Sequence, residues 1–276
     1  MSAPLLPLLL LGCWPYISGS WVDNAPARAA GVVSWTEFEG AGWQDNTPSG
    51  TAYWGWFEAP QDGFSTEWVL PAPIGCSDKT VNLGEWTDSL VDLDGTTSVL
   101  SSENVDLPLT WYPDSRIFYG ALLEGDMDEL ATTWDLDETA LVEGPLAVSP
   151  FVTVPGQIPY YGPDPGSESD AQVPGLGLDQ LVVTWSGDAA DVVAIAAQAL
   201  DPQGNGLEQW TCAADGADGE VEIPTDRWDS STSDDAEYLL VSVSHLVYTN
   251  TAIDGMEAVS RGVGVRTAAA VYTLEK

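Results

Sequence analysis

The sequence predicts an all-β protein made of two packed antiparallel β-sandwich lobes, Ig-like or jelly-roll-like, with at most one short helix. Three observations support this prediction. Short segments rich in β-branched and aromatic residues recur along the chain, Gly, Pro, Asn and Asp separate them at close intervals, and no segment beyond residue 30 approaches a transmembrane length. The 276 residues suffice for one large domain or two ordinary ones.

The candidate strands follow one another from Gly31 onward. The early ones are SWTEFEG, TAYWGWFEAP and EWVLPAP, and the later ones are Ser115–Leu123, Phe151–Val154, Gln180–Trp185, Asp191–Leu200, Tyr238–Asn250 and Gly262–Leu274. The segment at Asp191–Leu200 fits both a helical and a strand period, and its flanking strands favour a strand. One short helix is predicted in GDMDELATTW, where Asp126 would cap the first turn, Glu129 follows three residues later, and Trp134 shares the apolar face.

A stretch rich in Pro, Gly, Ser and acidic residues, PYYGPDPGSESDAQVP at Pro159–Pro174, predicts the boundary between the lobes. The first lobe would span residues 31–160 and the second residues 176–276, with a linker at 161–175. The second lobe is close to the roughly 100 residues of one β-sandwich domain. Residues 13–30 would form a tether that precedes the fold.

The opening MSAPLLPLLLLGCWPY predicts a signal peptide at residues 1–12. Its run of leucines, interrupted by Pro7, is far shorter than the roughly 20 apolar residues that cross a bilayer, but it suits the h-region of about 7–15 residues. The run ends in Leu10-Leu11-Gly12-Cys13, which resembles the lipobox of bacterial lipoproteins. The alternative is an ordinary apolar N-terminus with a free thiol.

The lipobox resemblance implies a cellular location. It implies cleavage before Cys13 and a diacylglycerol on the sulfur of that residue. Trp14, in place of Asp, follows the cysteine, which implies delivery to the outer membrane, facing either the periplasm or the exterior. We therefore expect an exported protein that reaches the membrane through a lipid anchor.

The charge balance excludes some partners. The net charge is −36, from 43 acidic and 7 basic residues. So acidic a surface repels nucleic acid phosphates and anionic headgroups, and we expect no nucleic acid partner. Cationic partners and divalent ions remain open, as does the simpler interpretation that the charge keeps an exported protein soluble in a salty habitat.

Two further cysteines form an even pair once Cys13 is set aside. In an oxidising compartment we expect Cys76 and Cys212 to join and to tie the two lobes together. Closing so long a loop contributes about 4–5 kcal/mol in the chain-entropy model. The alternative is a pair of buried free thiols; no CxxC motif or nearby histidine points to a metal.

The second lobe carries a further resemblance. WSGD at Trp185, WTCAADGADGEVEIP at Trp210–Pro224 and the late paired strands resemble acidic β-sandwich surface lipoproteins of bacteria. That resemblance implies a sandwich fold and brings no activity with it.

Catalytic chemistry finds little support in the sequence. His245 is the one histidine, and in a strand it shares the apolar face of Leu239, Val241, Val243 and Val247, which predicts a hydrogen-bonded core or edge residue. No G-x-S-x-G motif accompanies it, and one histidine cannot form a His-rich zinc site. Carboxylates are so numerous that no acid and base pair of a glycosidase stands out.

Two oxygen-rich segments are candidates for structural Ca²⁺. Asp92 and Asp94 begin a loop that echoes an EF-hand but has no glycine at its sixth place. Asp215, Asp218 and Glu220 lie in a second loop, ADGADGEVE. The alternative for both loops is an Asp-Gly hairpin turn with no metal.

The aromatic segment YWGWF places Trp54 and Trp56 on one face of a strand, with Tyr53 and Phe57 on the other. An exposed indole pair could stack on sugar rings. The alternative, which we prefer, is that the rings fill the core of a chain with 13 tryptophans.

Together these observations predict a lipid-anchored cell-envelope protein with a binding or structural role and no catalytic one. One alternative is a carbohydrate-binding module or a glycan hydrolase that uses carboxylates, and another is a Ca²⁺-stabilised adhesion module. The expected partners are the membrane, through the lipid anchor, and an envelope glycan or surface protein. No cofactor is expected other than structural Ca²⁺.

Overall fold

The computed structural model confirms the predicted all-β class. It describes residues 25–39, 48–61, 75–77, 90–123, 126, 132–141, 144–156, 160–164, 175–177, 181–186, 192–223 and 234–275. Within these ranges no helix is long and apolar enough to cross a membrane.

The described strands number sixteen. Those of the first half of the chain are β1 (Ala27–Glu39), β2 (Ser49–Gln61), β3 (Gly75–Ser77), β4 (Ser98–Ser101), β5 (Asp106–Tyr112), β6 (Ile117–Leu122), β7 (Thr132–Leu141) and β8 (Gly144–Val154). Those of the second half are β9 (Tyr160–Gly162), β10 (Gly175–Gly177), β11 (Leu181–Trp185), β12 (Val192–Leu200), β13 (Gly206–Asp215), β14 (Glu220–Ile223), β15 (Tyr238–Ala252) and β16 (Val259–Glu275).

The strands form one large sheet and one small sheet. The large sheet has the order β3-β13-β12-β15-β16-β1-β2-β6-β5-β4-β7-β8, and β10 pairs with the far end of β16. The small sheet has the order β14-β11-β9. The strands of both predicted lobes therefore share a single sheet.

The large sheet is mixed, where the sequence predicted purely antiparallel sheets. β1 runs parallel to β16 from Ala27 and Val259 to Glu39 and Ala270, and β10 is also parallel to β16. The β1–β16 pair joins two parts of the sheet. We call β1, β2, β6, β5, β4, β7 and β8 the N-terminal half-sheet, and β3, β13, β12, β15, β16 and β10 the C-terminal half-sheet.

The N-terminal half-sheet rolls over so that β8 lies on the face of β1, β15 and β16. This contact depends on glycine, because a Cβ at Gly262 would overlap the carbonyl oxygen of Phe151 and a Cβ at Gly264 that of Thr153. A Cβ at Gly31 would come within 2.7 Å of Phe151 Cζ. The backbone of β8 therefore rests directly on the backbone of the central strands.

The rolled half-sheet encloses a first core, which includes Val33, Trp54, Phe118, Trp134 and Val152. The indole of Trp54 stacks on Phe118 with ring centroids 5.2 Å apart. Its Nε1 donates to Ser98 Oγ at 2.8 Å, which satisfies the polar end of a fully buried side chain.

A second core lies between the C-terminal half-sheet and the small sheet. The small sheet contributes Val183 and Trp185, and the large sheet contributes Ile195, Val241 and Tyr272. Trp185 Nε1 donates to the carbonyl of Gly216 at 3.1 Å. Each half-sheet thus has its own core. Strand β16 contributes Tyr272 to the second core and contacts β8, which belongs to the first.

Two boundaries and one element differ from the predictions. β1 begins at Ala27, inside the predicted tether, and β9 places residues of the predicted linker in the small sheet. Trp134, predicted on a helix face, lies in β7 and is buried in the first core, because packing decides the conformation there over local pattern. Residues 127–131 of the predicted helix and residues 1–24 lie outside the described residues.

We expect Gly264→Ala to destabilise the fold by at least about 2 kcal/mol, because the backbone oxygen of Thr153 cannot move away without lifting β8 from the sheet. Urea unfolding followed by tryptophan fluorescence measures the change in the free energy of unfolding.

The matched control is Gly206→Ala at the start of β13. There a Cβ would meet only the amide end of Gln198, a side chain that can turn aside, so the change should stay within about 0.5 kcal/mol. Equal effects of the two substitutions would contradict the direct contact of β8 with β16.

Candidate functional site

An ion pair spans strands β1 and β16, the pair of strands that connects the two half-sheets. We call this pair of strands the joint. Arg266 on β16 donates through Nη2 to Glu37 Oε1 on β1. The same carboxylate oxygen accepts a hydrogen bond from Trp35 Nε1 at 3.0 Å. The side chain of Arg266 is 3% exposed and that of Glu37 is 17% exposed, so this pair is held largely away from water.

His245 lies beside this ion pair. It stands directly opposite Arg266 in the antiparallel β15–β16 register and is 3% exposed. Burial lowers the pKa of the imidazole from 6.5 to about 4. The sequence placed His245 correctly on the apolar face, but Nε2 has no hydrogen-bond partner among the described residues, where a hydrogen-bonded residue was expected.

The sequence did not predict the pairing of Glu37 with Arg266. The available signal was Arg266 itself, a lone charge in the apolar stretch GVGVRTAAAVY of a chain with few basic residues. A buried arginine needs a carboxylate, but the sequence holds 43 acidic residues and none could be chosen. Glu37 and Arg266 thus form a charge pair held largely away from water, and the imidazole of His245 lies beside it.

The other described arginines bind backbone oxygens or an aromatic ring of the protein, and of these Arg116 is exposed. The guanidinium of Arg28 lies 5.1 Å from the ring centroid of Trp56. The backbone oxygens that accept from arginine are Glu58 O from Arg28, Leu90 O from Arg116 and Ala25 O from Arg261, at distances of 2.7, 3.0 and 2.9 Å. The described arginines therefore act as structural links, and the described surface is anionic.

A cleft of about 660 Å³ lies beside the turn between β12 and β13. Four carboxylates line it, Asp201 on one side and Asp234, Asp235 and Glu237 on the segment before β15. Glu237 N donates to Leu200 O and Leu274 N donates to Glu237 O, both at 2.9 Å, and these bonds fix that segment across the strand ends. The charge of the cleft suits cationic groups.

Asp201 owes its position to its own turn. Its Oδ1 accepts from Gln203 N and Asn205 N, and its Oδ2 accepts from Asn205 Nδ2. The hydrogen bond from the Asn205 side chain, with those from the turn backbone, lowers the pKa of Asp201. A glycosidase general acid needs a raised pKa, so Asp201 is suited to a carboxylate role and not to that of a proton donor.

The candidate calcium residues lie in turns. Asp92 Oδ1 accepts from Asp94 N at 3.0 Å, and Asp215 Oδ1 accepts from Ala217 N at 2.9 Å, with Asp218 and Glu220 following. Within the described ranges, no three Asp, Glu, His or Cys residues are grouped so as to hold a metal ion. The hydrogen bonds are those of Asx turns, and a Ca²⁺ site stays a prediction without further support.

The remaining candidates are two tryptophans and the three cysteines. Trp54 and Trp56 are 0% and 2% exposed and pack in the first core, so neither offers a face to a sugar ring, in line with the packing interpretation. Cys76 on β3 and Cys212 on β13 are directly paired at disulfide-bonding distance, with Cα atoms 4.0 Å apart. Cys13 lies outside the described residues.

No family model matches the chain, and no curated protein matches it at a significant level.

We expect Glu37→Gln to lower the free energy of unfolding by about 3 kcal/mol at neutral pH, because it leaves the buried guanidinium of Arg266 facing an uncharged amide. Urea unfolding measures the change.

Glu58→Gln is the matched control, since Glu58 is an exposed residue on the neighbouring strand β2. Its effect should lie within about 0.5 kcal/mol. A loss in Glu37→Gln no larger than in this control would show that the ion pair contributes nothing to the joint.

We expect the melting temperature to rise by about 5 °C or more as NaCl is raised from roughly 0.01 M to 1 M. Of the described arginines only Arg116 is exposed, so the described surface carries unbalanced negative charge, and shortening the Debye length from roughly 30 Å to 3 Å screens its self-repulsion. Scanning calorimetry measures the shift.

KCl should act like NaCl, because screening does not depend on which monovalent cation supplies it. A melting temperature that stays constant or falls with added salt would contradict this account.

Proposed function

We propose that the chain is a lipid-anchored cell-envelope protein with a binding or structural role, exported and held at the outer membrane through Cys13. The observation that carries the proposal is the arrangement of the three cysteines. Cys76 and Cys212 lie at disulfide-bonding distance, which fits an oxidising compartment, and Cys13 is the cysteine left over, at the end of the lipobox-like Leu10-Leu11-Gly12-Cys13.

Two further features support an extracytoplasmic role. An acidic surface keeps a protein soluble outside the cell without attracting it to anionic lipid headgroups, so a covalent lipid would supply the membrane contact. The disulfide fixes the short strand β3 to the edge of the large sheet, where three residue pairs alone would hold it weakly. The partner would be an envelope glycan or a surface protein, with the fold on the periplasmic or the outer side.

The test is metabolic labelling with palmitate, followed by membrane fractionation, of the wild type and of Cys13→Ala expressed in a bacterial host with lipoprotein processing. The wild type should take up label and sediment with membranes. The variant should lose the label and become soluble, because the thiol that receives the lipid is gone.

The double variant Cys76→Ala, Cys212→Ala is the matched control, since it removes two thiols and leaves Cys13 in place. It should keep both label and membrane association. Label that persists in Cys13→Ala, or a wild type that takes up none, would refute the lipid attachment at Cys13 and with it the proposed location at the outer membrane.

A further inference from the structure

The β1–β16 pair is the connection between the two half-sheets. Each half-sheet has its own hydrophobic core. The two halves meet through this pair of strands, through β8, which lies on it, and through a smaller apolar cluster in which Val32 of β1 packs with Val263 and Val265 of β16. The Glu37–Arg266 ion pair spans β1 and β16 on the face that carries both cores. The electrostatics of this ion pair therefore bear on how firmly the halves are joined.

His245 is placed to act on this ion pair. It lies on the next strand, β15, directly opposite Arg266, and its partner on the other side is the apolar Val193 of β12. Neither β8 nor β12 contains an ionisable residue. Among the described residues, the charged groups that face His245 are therefore Arg266 and, beyond it, Glu37.

His245, Arg266 and Glu37 lie on three successive strands, and we call them the charged row. Protonation of His245 would place a second positive charge in this row, opposite the guanidinium of Arg266. The cost is that of desolvation, since the imidazole is buried and its Nε2 lacks a described partner. An opened joint would bring water to the imidazole and remove the cost. A proton therefore binds the opened state more tightly than the closed one, and acid shifts the population toward opening.

We propose that His245 makes the joint between the half-sheets acid-sensitive, so that its protonation parts β1 from β16 while the C-terminal half-sheet keeps its own core. The disulfide on β13 lies two strands away from His245, and the strand between them, β12, carries no charged residue. The proton comes from solvent, and no bond is broken other than hydrogen bonds.

The pH window follows from the two states of the imidazole. Its pKa is about 4 in the closed fold and 6.5 when it is exposed, so the unfolded or opened state binds the proton first as the pH falls. The stability of the joint is fully present above about pH 6.5 and is lost progressively as the pH falls toward 4. At pH 4.5 the opening equilibrium should be favoured on the order of 50-fold over its value at pH 7.

Amide hydrogen exchange of the intact protein, corrected for the intrinsic pH dependence of exchange, measures this effect strand by strand. In the wild type, the amides of β1 and β16 should lose protection on the order of 50-fold between pH 7 and pH 4.5, while those that pair β12 with β13 keep theirs. In His245→Leu, which cannot titrate, β1 and β16 should show no such loss.

Three results would overturn the proposal. They are unchanged protection of β1 and β16 in the wild type at pH 4.5, an equal loss in His245→Leu, and a loss in β12 and β13 of the same size, which would be global unfolding. Because the chain has one histidine, its imidazole resonance is unambiguous, and a midpoint near 6.5 in the folded wild type would also refute the proposal.

If His245→Leu does not fold, Glu37→Gln provides the second test. It removes the carboxylate that holds Arg266, so β1 and β16 should already exchange faster at pH 7 than in the wild type while β12 and β13 remain protected. Full protection of β1 and β16 in Glu37→Gln would refute the role of this ion pair at the joint.

Discussion

The parallel pairing of β1 with β16 is the contact on which the rest of the structure depends. It joins strands more than two hundred residues apart in the chain, and it brings Gly31 and Gly262 into one row on which β8 can lie. Without this pair the N-terminal half-sheet would have no surface on which to close its core. Such long-range pairing costs loop-closure entropy before any apolar burial is gained, so slow folding is expected.

The same joint shows how the protein handles its few positive charges. A strongly acidic chain would be expected to spread arginines over its surface as counter-charges, yet the described ones bind backbone oxygens, an indole ring or the half-buried carboxylate of Glu37. The buried Arg28 and Arg266 are worth more in such places, because a charge-assisted hydrogen bond away from water is stronger than an exposed ion pair. The consequence is a surface whose charge is balanced by ions from solution.

The sequence predicted well what local pattern determines. Alternation and β-branched content located β15 and β16, because a strand with a buried face leaves a period of two in its own residues. The residues of β12 fit both periods, and its flanking strands decided in favour of a strand. The pairing of Cys76 with Cys212 could be predicted because setting Cys13 aside left two cysteines. Trp134 went to a predicted helix because its surroundings resemble a helix N-terminus, while its burial against distant strands leaves no local trace.

The order and direction of the strands, and the proximity of His245 to Arg266, could not be predicted from local sequence patterns. Nothing in the sequence of β1 states that its neighbour is β16 or that the two run parallel, since either direction satisfies the same alternation. His245 could be placed on an apolar face from its spacing, but its proximity to Arg266 depends on register across two strands. The acidic cleft likewise combines a turn and a segment that are more than thirty residues apart.

The position of β16 also sets the order in which the fold can be assembled. Of the described strands, it is the last to be synthesised, yet β1, the first, pairs with it and β8 rests on it. A chain that emerges N-terminus first therefore carries its early aromatic strands with no finished core to hold them. It cannot complete the N-terminal half-sheet until its C-terminal strand has been made.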